Sequence, residues 1–121
     1  MARGRCALMK MDKLYEQTML YDFYGELLTE HQRQVYEDAV YNDLSLSEIA
    51  QEQGISRQGV HDLVRRCDRI LQGYEEKLHL VERFARARET VEEIRELTLG
   101  ETDQAALLRI RELSCKLLEE L

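Results

Sequence analysis

Apolar residues recur every three or four positions along most of this chain, a spacing that predicts amphipathic helices. A first helix is predicted from Asp12 to about Leu27, with one apolar stripe facing a protein core. We interpret the aromatic residues of this helix as core residues, in preference to a cofactor-binding or base-stacking group. The stripe consists of Leu14, Tyr15, Met19, Phe23 and Leu27, and it is broadened by Leu20, Tyr24 and Leu28.

Two later segments have the spacing of a capping box, in which two side chains satisfy free backbone N–H groups at a helix start. Thr29 and Gln32 predict a second helix that ends near Tyr41. Ser45 and Glu48 predict the start of a third helix. The inward face of the second helix is predicted to be Val35, Tyr36, Ala39 and Val40.

The segment 45–67 has the spacing of two helices joined by a tight turn. Gly54 stands where the chain must turn, and only glycine enters a left-handed conformation there at low cost. Ile55 follows and is predicted to plug the turn into the core. Ser56 is the predicted N-cap of the next helix. Together with the preceding cap, these features predict a helix-turn-helix motif.

The second helix of this motif divides into an apolar face and a polar face. The apolar face is predicted to pack inward and consists of Val60, Leu63, Val64 and Cys67. In helix-turn-helix proteins the second helix is the one that enters a groove of DNA. An ordinary helical hairpin with no nucleic-acid role remains an alternative, as does the same fold with RNA or protein as its partner. The outward face consists of Arg57, Gln58, His61, Asp62 and Arg65.

The apolar pattern continues beyond the motif. It predicts that the recognition helix runs into a long helix, kinked at Gly73 and ending near Leu97, followed by a last helix from Gln104. The two form a hairpin. The stripe of the long helix is predicted to be Leu80, Phe84, Ala87, Val91, Ile94 and Thr98, and the seam of the last helix Ala106, Ile110, Leu113 and Leu117.

We therefore predict an all-α protein, with a trihelical helix-turn-helix core followed by a helical hairpin arm. Residues 1–10 are predicted to be a disordered extension, with Met9 or Met11 as alternative translation starts. Residues 11–72 form the helix-turn-helix domain and residues 73–121 the arm. The apolar seams of the arm are wide for a lone hairpin, and uncovered apolar surface usually binds a partner. We expect a homodimer through the arm, the commonest assembly; the alternative is that the hairpin packs on its own core.

Charge and candidate chemistry narrow the function. A net charge of −7 argues against non-specific DNA binding, which depends on phosphate neutralisation. Between residues 45 and 72, four arginines balance four acidic residues. The three cysteines form no CxxC pair, and the three histidines have no metal-ligand spacing. No catalytic set, phosphate-binding glycine loop or membrane-length apolar run is present. We expect a cytoplasmic, non-enzymatic protein without cofactor or metal.

Three runs of the sequence resemble the YlxM family of bacterial helix-turn-helix proteins, across about Met11 to Phe84. They are Asp22-Phe-Tyr-Gly-Glu-Leu-Leu-Thr-Glu-His-Gln-Arg33, Ser56-Arg-Gln-Gly-Val-His-Asp62 and Tyr74-Glu-Glu-Lys-Leu-His-Leu80. The Leu-Thr-Glu-x-Gln-Arg and Ser-Leu-x-Glu-Ile-Ala patterns also resemble region 4 of sigma-70 factors, which binds promoter DNA. The resemblance implies an all-helical fold and a gene next to that of the signal recognition particle GTPase. It also implies an accessory or regulatory role in protein targeting.

Carried over to this sequence, the sigma-like contacts fall on Ser56, Arg57, Gln58, His61 and Arg65. The sequence departs from the sigma pattern at Gly59, where an acidic or polar helix former is usual. That glycine weakens the first helical turn by up to ~1 kcal/mol relative to alanine. The alternative is that it permits close approach of the backbone to a ligand.

Two hypotheses follow from these observations. The first is a helix-turn-helix protein that binds duplex DNA or the RNA of the signal recognition particle, as a regulator or accessory component of that pathway. Base contacts would come from Arg57 and Gln58, and phosphate contacts from Arg65, Arg66 and Arg69. The alternative is an adaptor that keeps the fold, binds a protein such as a particle component, and does not bind nucleic acid.

Overall fold

A computed structural model describes residues 13–121, and all of their regular structure is helical, which confirms the all-α prediction. A single 3₁₀ turn, Gly25–Leu27, follows the first helix. The predicted extension 1–10 and the alternative starts Met9 and Met11 lie outside the described residues. Within residues 13–121 the α-helices are α1 Lys13–Tyr24, α2 Glu30–Val40, α3 Leu46–Gln53, α4 Arg57–Leu78, α5 Leu80–Leu97 and α6 Gln104–Glu120.

The chain divides into two compact units, one ending at Leu78 and the other formed by His79–Leu121. The apolar pattern of the sequence places this boundary at residues 72/73 and predicts one long helix kinked at Gly73. That helix prediction is wrong, because Gly73 lies inside α4 and the helix breaks at His79. His79 has a φ of +56°, in the left-handed region, which ends one helix and starts the next. A glycine weakens a helix without breaking it when neighbouring residues pack well, as the fully buried Leu71 does here.

Helices α2, α3 and α4 surround the core of the first unit. Val35, Ile49 and Val60 are fully buried and pack with Ala50. Burying each of these larger aliphatic side chains contributes roughly 1.5–3 kcal/mol. Partly buried residues close the edges of this cluster: Ala39, Leu44, Leu46, Leu63 and Val64. The trihelical arrangement was predicted from the same apolar positions.

The predicted apolar stripe of α1 is wrong in its centre and confirmed at its margin. The buried face of this segment is Leu20, Tyr24 and Leu28, which the sequence analysis treated as the margin of the stripe. The two stripes are adjacent on the helix, and apolar spacing alone does not distinguish them. Polar partners on α4 decide between them, because Gln17 and the Tyr24 hydroxyl both hydrogen-bond to that helix. The predicted stripe residues Leu14, Tyr15, Phe23 and Leu27 are exposed.

The second unit is the α5–α6 hairpin, with Asp103 capping α6 by accepting a hydrogen bond from the Ala106 N–H at 2.9 Å. The predicted α6 seam is confirmed, since its four residues are buried or half-buried. The α5 seam is shifted from the predicted one, because Thr90 is buried where Val91 was expected. The Thr90 hydroxyl donates to the Arg86 carbonyl at 3.1 Å, which allows a polar residue at this position. The observed α5 seam is Ala87, Thr90, Ile94 and Leu97.

None of the helices formed by residues 13–121 is both long and apolar enough to cross a membrane.

Candidate nucleic-acid interface

The first helix of the motif, α3, begins with the predicted capping box. The Glu48 N–H donates to the Ser45 hydroxyl at 3.1 Å, and the Ser45 N–H donates to the Glu48 carboxylate at 2.9 Å. The backbone hydrogen bond lowers the pKa of Glu48, because it stabilises the charged carboxylate. This cap fixes the point at which the chain enters the motif.

The turn between α3 and α4 is made by Gly54, whose φ of +68° lies in the left-handed region. The N–H groups of Gly54 and Ile55 both donate to the Ala50 carbonyl and so close the end of α3. Ile55 was predicted to plug the turn into the core, and that prediction is wrong, because 37% of its surface is exposed. The space between the two helices is already filled by Ile49, Ala50 and Val60.

Ser56 caps α4, the second helix of the motif, as predicted. Its hydroxyl accepts a hydrogen bond from the Gly59 N–H at 2.9 Å, and its carbonyl accepts one from the Val60 N–H at 3.0 Å. A Cβ atom added at Gly59 would lie 3.1 Å from the Ser56 hydroxyl, which is closer than ordinary contact. The glycine therefore leaves room for this cap.

The inward face of α4 is packed and its outward face is exposed. Val60 and Cys67 are fully buried, while Leu63 and Val64 are half-buried. Burial raises the pKa of the Cys67 thiol to about 11, so this cysteine stays protonated and acts as a core residue. The predicted contact residues are all exposed: Ser56, Arg57, Gln58, His61, Arg65, Arg66 and Arg69.

Four side chains follow one another along the middle of the exposed face at helical spacing: Gln58, Asp62, Arg65 and Arg69. The Gln58 amide donates to the Asp62 carboxylate at 3.0 Å, and the His61 Nδ1 lies 3.8 Å from the same oxygen. The first half of the face is thus polar and linked through Asp62. Ser56 and Arg57 lie at its beginning, in the first turn.

The second half of the exposed face is cationic. Arg65, Arg66 and Arg69 line a shallow depression together with Asp62. The structure therefore brings together the three arginines predicted to contact phosphate, and it places them apart from Ser56 and Arg57 at the beginning of the helix. This arrangement suits a ligand with separate negative groups and hydrogen-bonding groups.

A polar network that the sequence analysis missed holds α4 from its inner side. The Asp68 carboxylate accepts hydrogen bonds from the Tyr36 hydroxyl at 2.6 Å and from the Gln17 amide at 3.1 Å. Burial, together with the hydrogen bond to Asp68, raises the pKa of Tyr36. Farther along α4, the Tyr24 hydroxyl donates to the Glu75 carboxylate at 2.6 Å. Asp68 and Glu75 are seven residues, or two helical turns, apart, and both lie beside apolar residues of α4. This spacing is the feature of the sequence from which the network could have been predicted.

Comparison with known proteins agrees with this geometry. A family model described as "Putative helix-turn-helix protein, YlxM / p13 like" (UPF0122) matches residues 11–110. A UPF0122 protein of Acetivibrio thermocellus is 41% identical over 109 residues, covering 84% of this chain and 93% of the relative.

Two further relatives support the same assignment. A UPF0122 protein of Shouchella clausii is 45% identical over 85 residues, covering 70% of this chain and 78% of the relative. One of Caldanaerobacter subterraneus subsp. tengcongensis is 48% identical over 79 residues, covering 65% of this chain and 68% of the relative. With a helix-turn-helix motif in the structure and a family match over most of its length, the chain belongs to the UPF0122 family of YlxM/p13-like helix-turn-helix proteins.

Proposed function

We propose that this protein binds nucleic acid through the outward face of α4 and acts as a non-enzymatic regulator or accessory component of the signal recognition particle pathway. The observation that supports this most is the contrast between the two faces of α4. Its inner face is packed and tied to α1 and α2, while its outer face presents four arginines that the fold does not bury. A packed helix with an exposed cationic face is what groove binding requires.

The two halves of the face have different roles in this proposal. Arg65, Arg66 and Arg69 contact phosphates, which positions the protein on the duplex or RNA. Arg57 and Gln58 contact base edges near the beginning of the helix. Asp62 orients Gln58 and repels phosphate, so it directs the backbone of the ligand towards the cationic half.

The acidic net charge limits the affinity, and the salt dependence follows from the number of phosphate contacts. Three neutralised phosphates on duplex DNA correspond to a slope of about −2.7 in log K against log salt. A rise from about 50 to 200 mM salt then weakens binding roughly 40-fold. The RNA of the particle and duplex DNA are both candidates for the ligand.

The proposal is tested by fluorescence anisotropy with the full chain, labelled duplex DNA and labelled signal recognition particle RNA. At low salt, the double variant Arg65→Ala with Arg69→Ala should bind at least about tenfold more weakly, since it loses two phosphate contacts. Arg88→Ala with Lys116→Ala removes the same charge from α5 and α6 and should bind like the unmodified protein. Equal losses in the two double variants would contradict the proposal.

The acidic net charge also favours a second candidate function, a protein-binding adaptor. In that case neither nucleic acid binds at about 50 mM salt, while a protein component of the particle does. Sedimentation of the full chain with the purified particle GTPase, in the absence of RNA, distinguishes the two candidates.

A further inference from the structure

The two sides of the α5–α6 hairpin differ in chemistry. The helices run antiparallel and pack through a seam of positions spaced three and four residues apart, as in a coiled coil. On each side of the hairpin, each helix contributes one row of residues directly beside the seam and a second row farther out. The composition of these rows decides what each side can bind.

One side of the hairpin is charged and internally paired. Glu93 on α5 lies 3.0 Å from Arg109 on α6, across the seam. Arg109 also lies 3.5 Å from Glu112, and Arg86 lies 3.4 Å from Glu82. The charges of these five residues therefore pair with one another within the hairpin.

The opposite side carries apolar residues and arginines, and we call it the arginine-edged side. Val91, Leu107 and Leu118 are exposed by 51%, 53% and 73%. Arg95 and Arg111 lie in the row outside Val91 and Leu107, the row that also holds Leu118, and neither forms an ion pair with another residue of the range 13–121. The positions of this side beside the seam are 84 and 91 on α5 and 107 and 114 on α6, and its outer positions are 81, 88, 95, 104, 111 and 118. None of these positions holds an acidic residue.

We propose that the arginine-edged side is a docking surface for an acidic amphipathic helix of another protein. A helix laid along the groove between α5 and α6 would cover the apolar residues with its own leucine-type stripe. Its flanking Asp or Glu residues would pair with Arg95 and Arg111, which form no ion pair within the hairpin. Docking completes a three-helix bundle.

Charge distinguishes this partner from a second copy of the chain, which the sequence analysis expected on the arm. In a symmetric dimer through this side, two arginine-edged surfaces would face each other with no carboxylate between them. Like charges placed opposite each other across an interface oppose association. The same arginines favour a partner whose edges are acidic.

The dimensions of the hairpin set the length of the partner helix. The 17 residues of α6 span about 25 Å at 1.5 Å per residue. A helix of similar length, roughly five turns, would occupy the groove. Its signature is apolar residues at i, i+3 or i+4 and i+7 with acidic residues beside them.

The surface is tested with the full chain and two synthetic 21-residue helical peptides. Both peptides carry leucine at the apolar positions, and they differ only in having glutamate or lysine beside the leucines. Fluorescence anisotropy should show binding of the glutamate peptide, roughly tenfold tighter than the lysine peptide, because several exposed charge pairs change sign. Arg95→Glu with Arg111→Glu should invert that preference, whereas Arg86→Glu with Lys116→Glu on the charged side should leave it unchanged.

A photo-crosslink locates the bound peptide. With p-benzoylphenylalanine in place of Val91, irradiation should yield an adduct of the full chain with the glutamate peptide. An adduct between two copies of the chain, or one within residues 13–78 of the same chain, would overturn the proposal. So would failure of the glutamate peptide to bind, or equal binding of the two peptides.

Discussion

At the scale of single residues, backbone geometry separates two glycines that look alike in the sequence. Gly54 has a positive φ and closes α3, whereas Gly73 lies inside α4. A Cβ atom added at either position would meet no atom within 4 Å. Steric contact therefore has no part in the effect of replacing either glycine by alanine. Backbone conformation alone decides whether the replacement raises or lowers the free energy of unfolding.

We expect Gly54→Ala to lower the free energy of unfolding by about 1–2 kcal/mol, because alanine is strained in the left-handed region. Gly73→Ala should raise it by up to about 1 kcal/mol, because alanine favours a helix. Urea denaturation followed by circular dichroism measures both. The same sign for the two variants would be inconsistent with the turn at Gly54.

The buried thiol of Cys67 predicts how stability depends on pH. Its pKa rises from 9.0 to about 11 on folding, so the folded state retains a proton that the unfolded chain loses. Stability is therefore complete below about pH 9 and falls as the pH rises towards 11.

At pH 10.5 this single group accounts for a loss of about 2 kcal/mol. Tyr36, whose pKa is also raised by burial, adds to the loss above pH 10. Unfolding free energies measured at pH 8 and pH 10.5 check the prediction. The variant Cys67→Ala should lose less stability over this interval than the unmodified protein, and an identical loss would argue against a buried, protonated thiol.

At the scale of elements, caps could be predicted from the sequence and the choice of buried face could not. Ser45, Ser56 and Thr29 were identified as caps because a cap depends on residues three positions apart, and the structure confirms each. The face of α1 depends on Asp68 and Glu75, which are about fifty residues away. The α5 seam similarly depends on a hydroxyl that bonds within its own helix, so apolar spacing did not indicate Thr90.

Helix α4 is held from its inner side by the Tyr36–Asp68–Gln17 network, and this predicts the effect of removing one hydroxyl. Tyr36→Phe leaves the Asp68 carboxylate without its shortest hydrogen bond in a part-buried site. We expect a loss of about 1–3 kcal/mol in unfolding free energy. Tyr41→Phe removes an exposed hydroxyl that donates to Asp22 at 3.0 Å, and should cost less than about 1 kcal/mol. Comparable losses in the two variants would argue against a special role for Asp68.

The predicted contact residues are another feature that local spacing identified, since the positions on one helix face follow from its period. Their grouping was only partly foreseen. The depression groups Arg65, Arg66 and Arg69, which had all been assigned to phosphate, with Asp62, which had been given no contact role. The Ser56 hydroxyl was predicted to cap the helix. That this cap leaves little space for a Cβ atom at Gly59 follows only from the distance between the two residues in the structure.

At the scale of the whole molecule, charge is distributed so that an acidic protein has a cationic helix face and an arginine-edged arm. The two surfaces lie in different compact units, and we propose different ligands for them, nucleic acid for α4 and an acidic helix for the arm. A molecule of this kind would connect a nucleic acid to a protein within one pathway. The net charge of −7 makes such binding depend on a few well-placed arginines.

The most direct test of the central claim is the salt dependence of nucleic-acid binding by the full chain. Anisotropy titrations between about 50 and 200 mM salt should give a slope of about −2.7 with duplex DNA, or about −2.1 with single-stranded RNA, in log K against log salt. In Arg65→Ala with Arg69→Ala, the slope should be smaller by about 1.8 with duplex DNA and by about 1.4 with single-stranded RNA. A slope that is the same in both proteins, or no binding at the lowest salt concentration, would contradict nucleic-acid binding by α4.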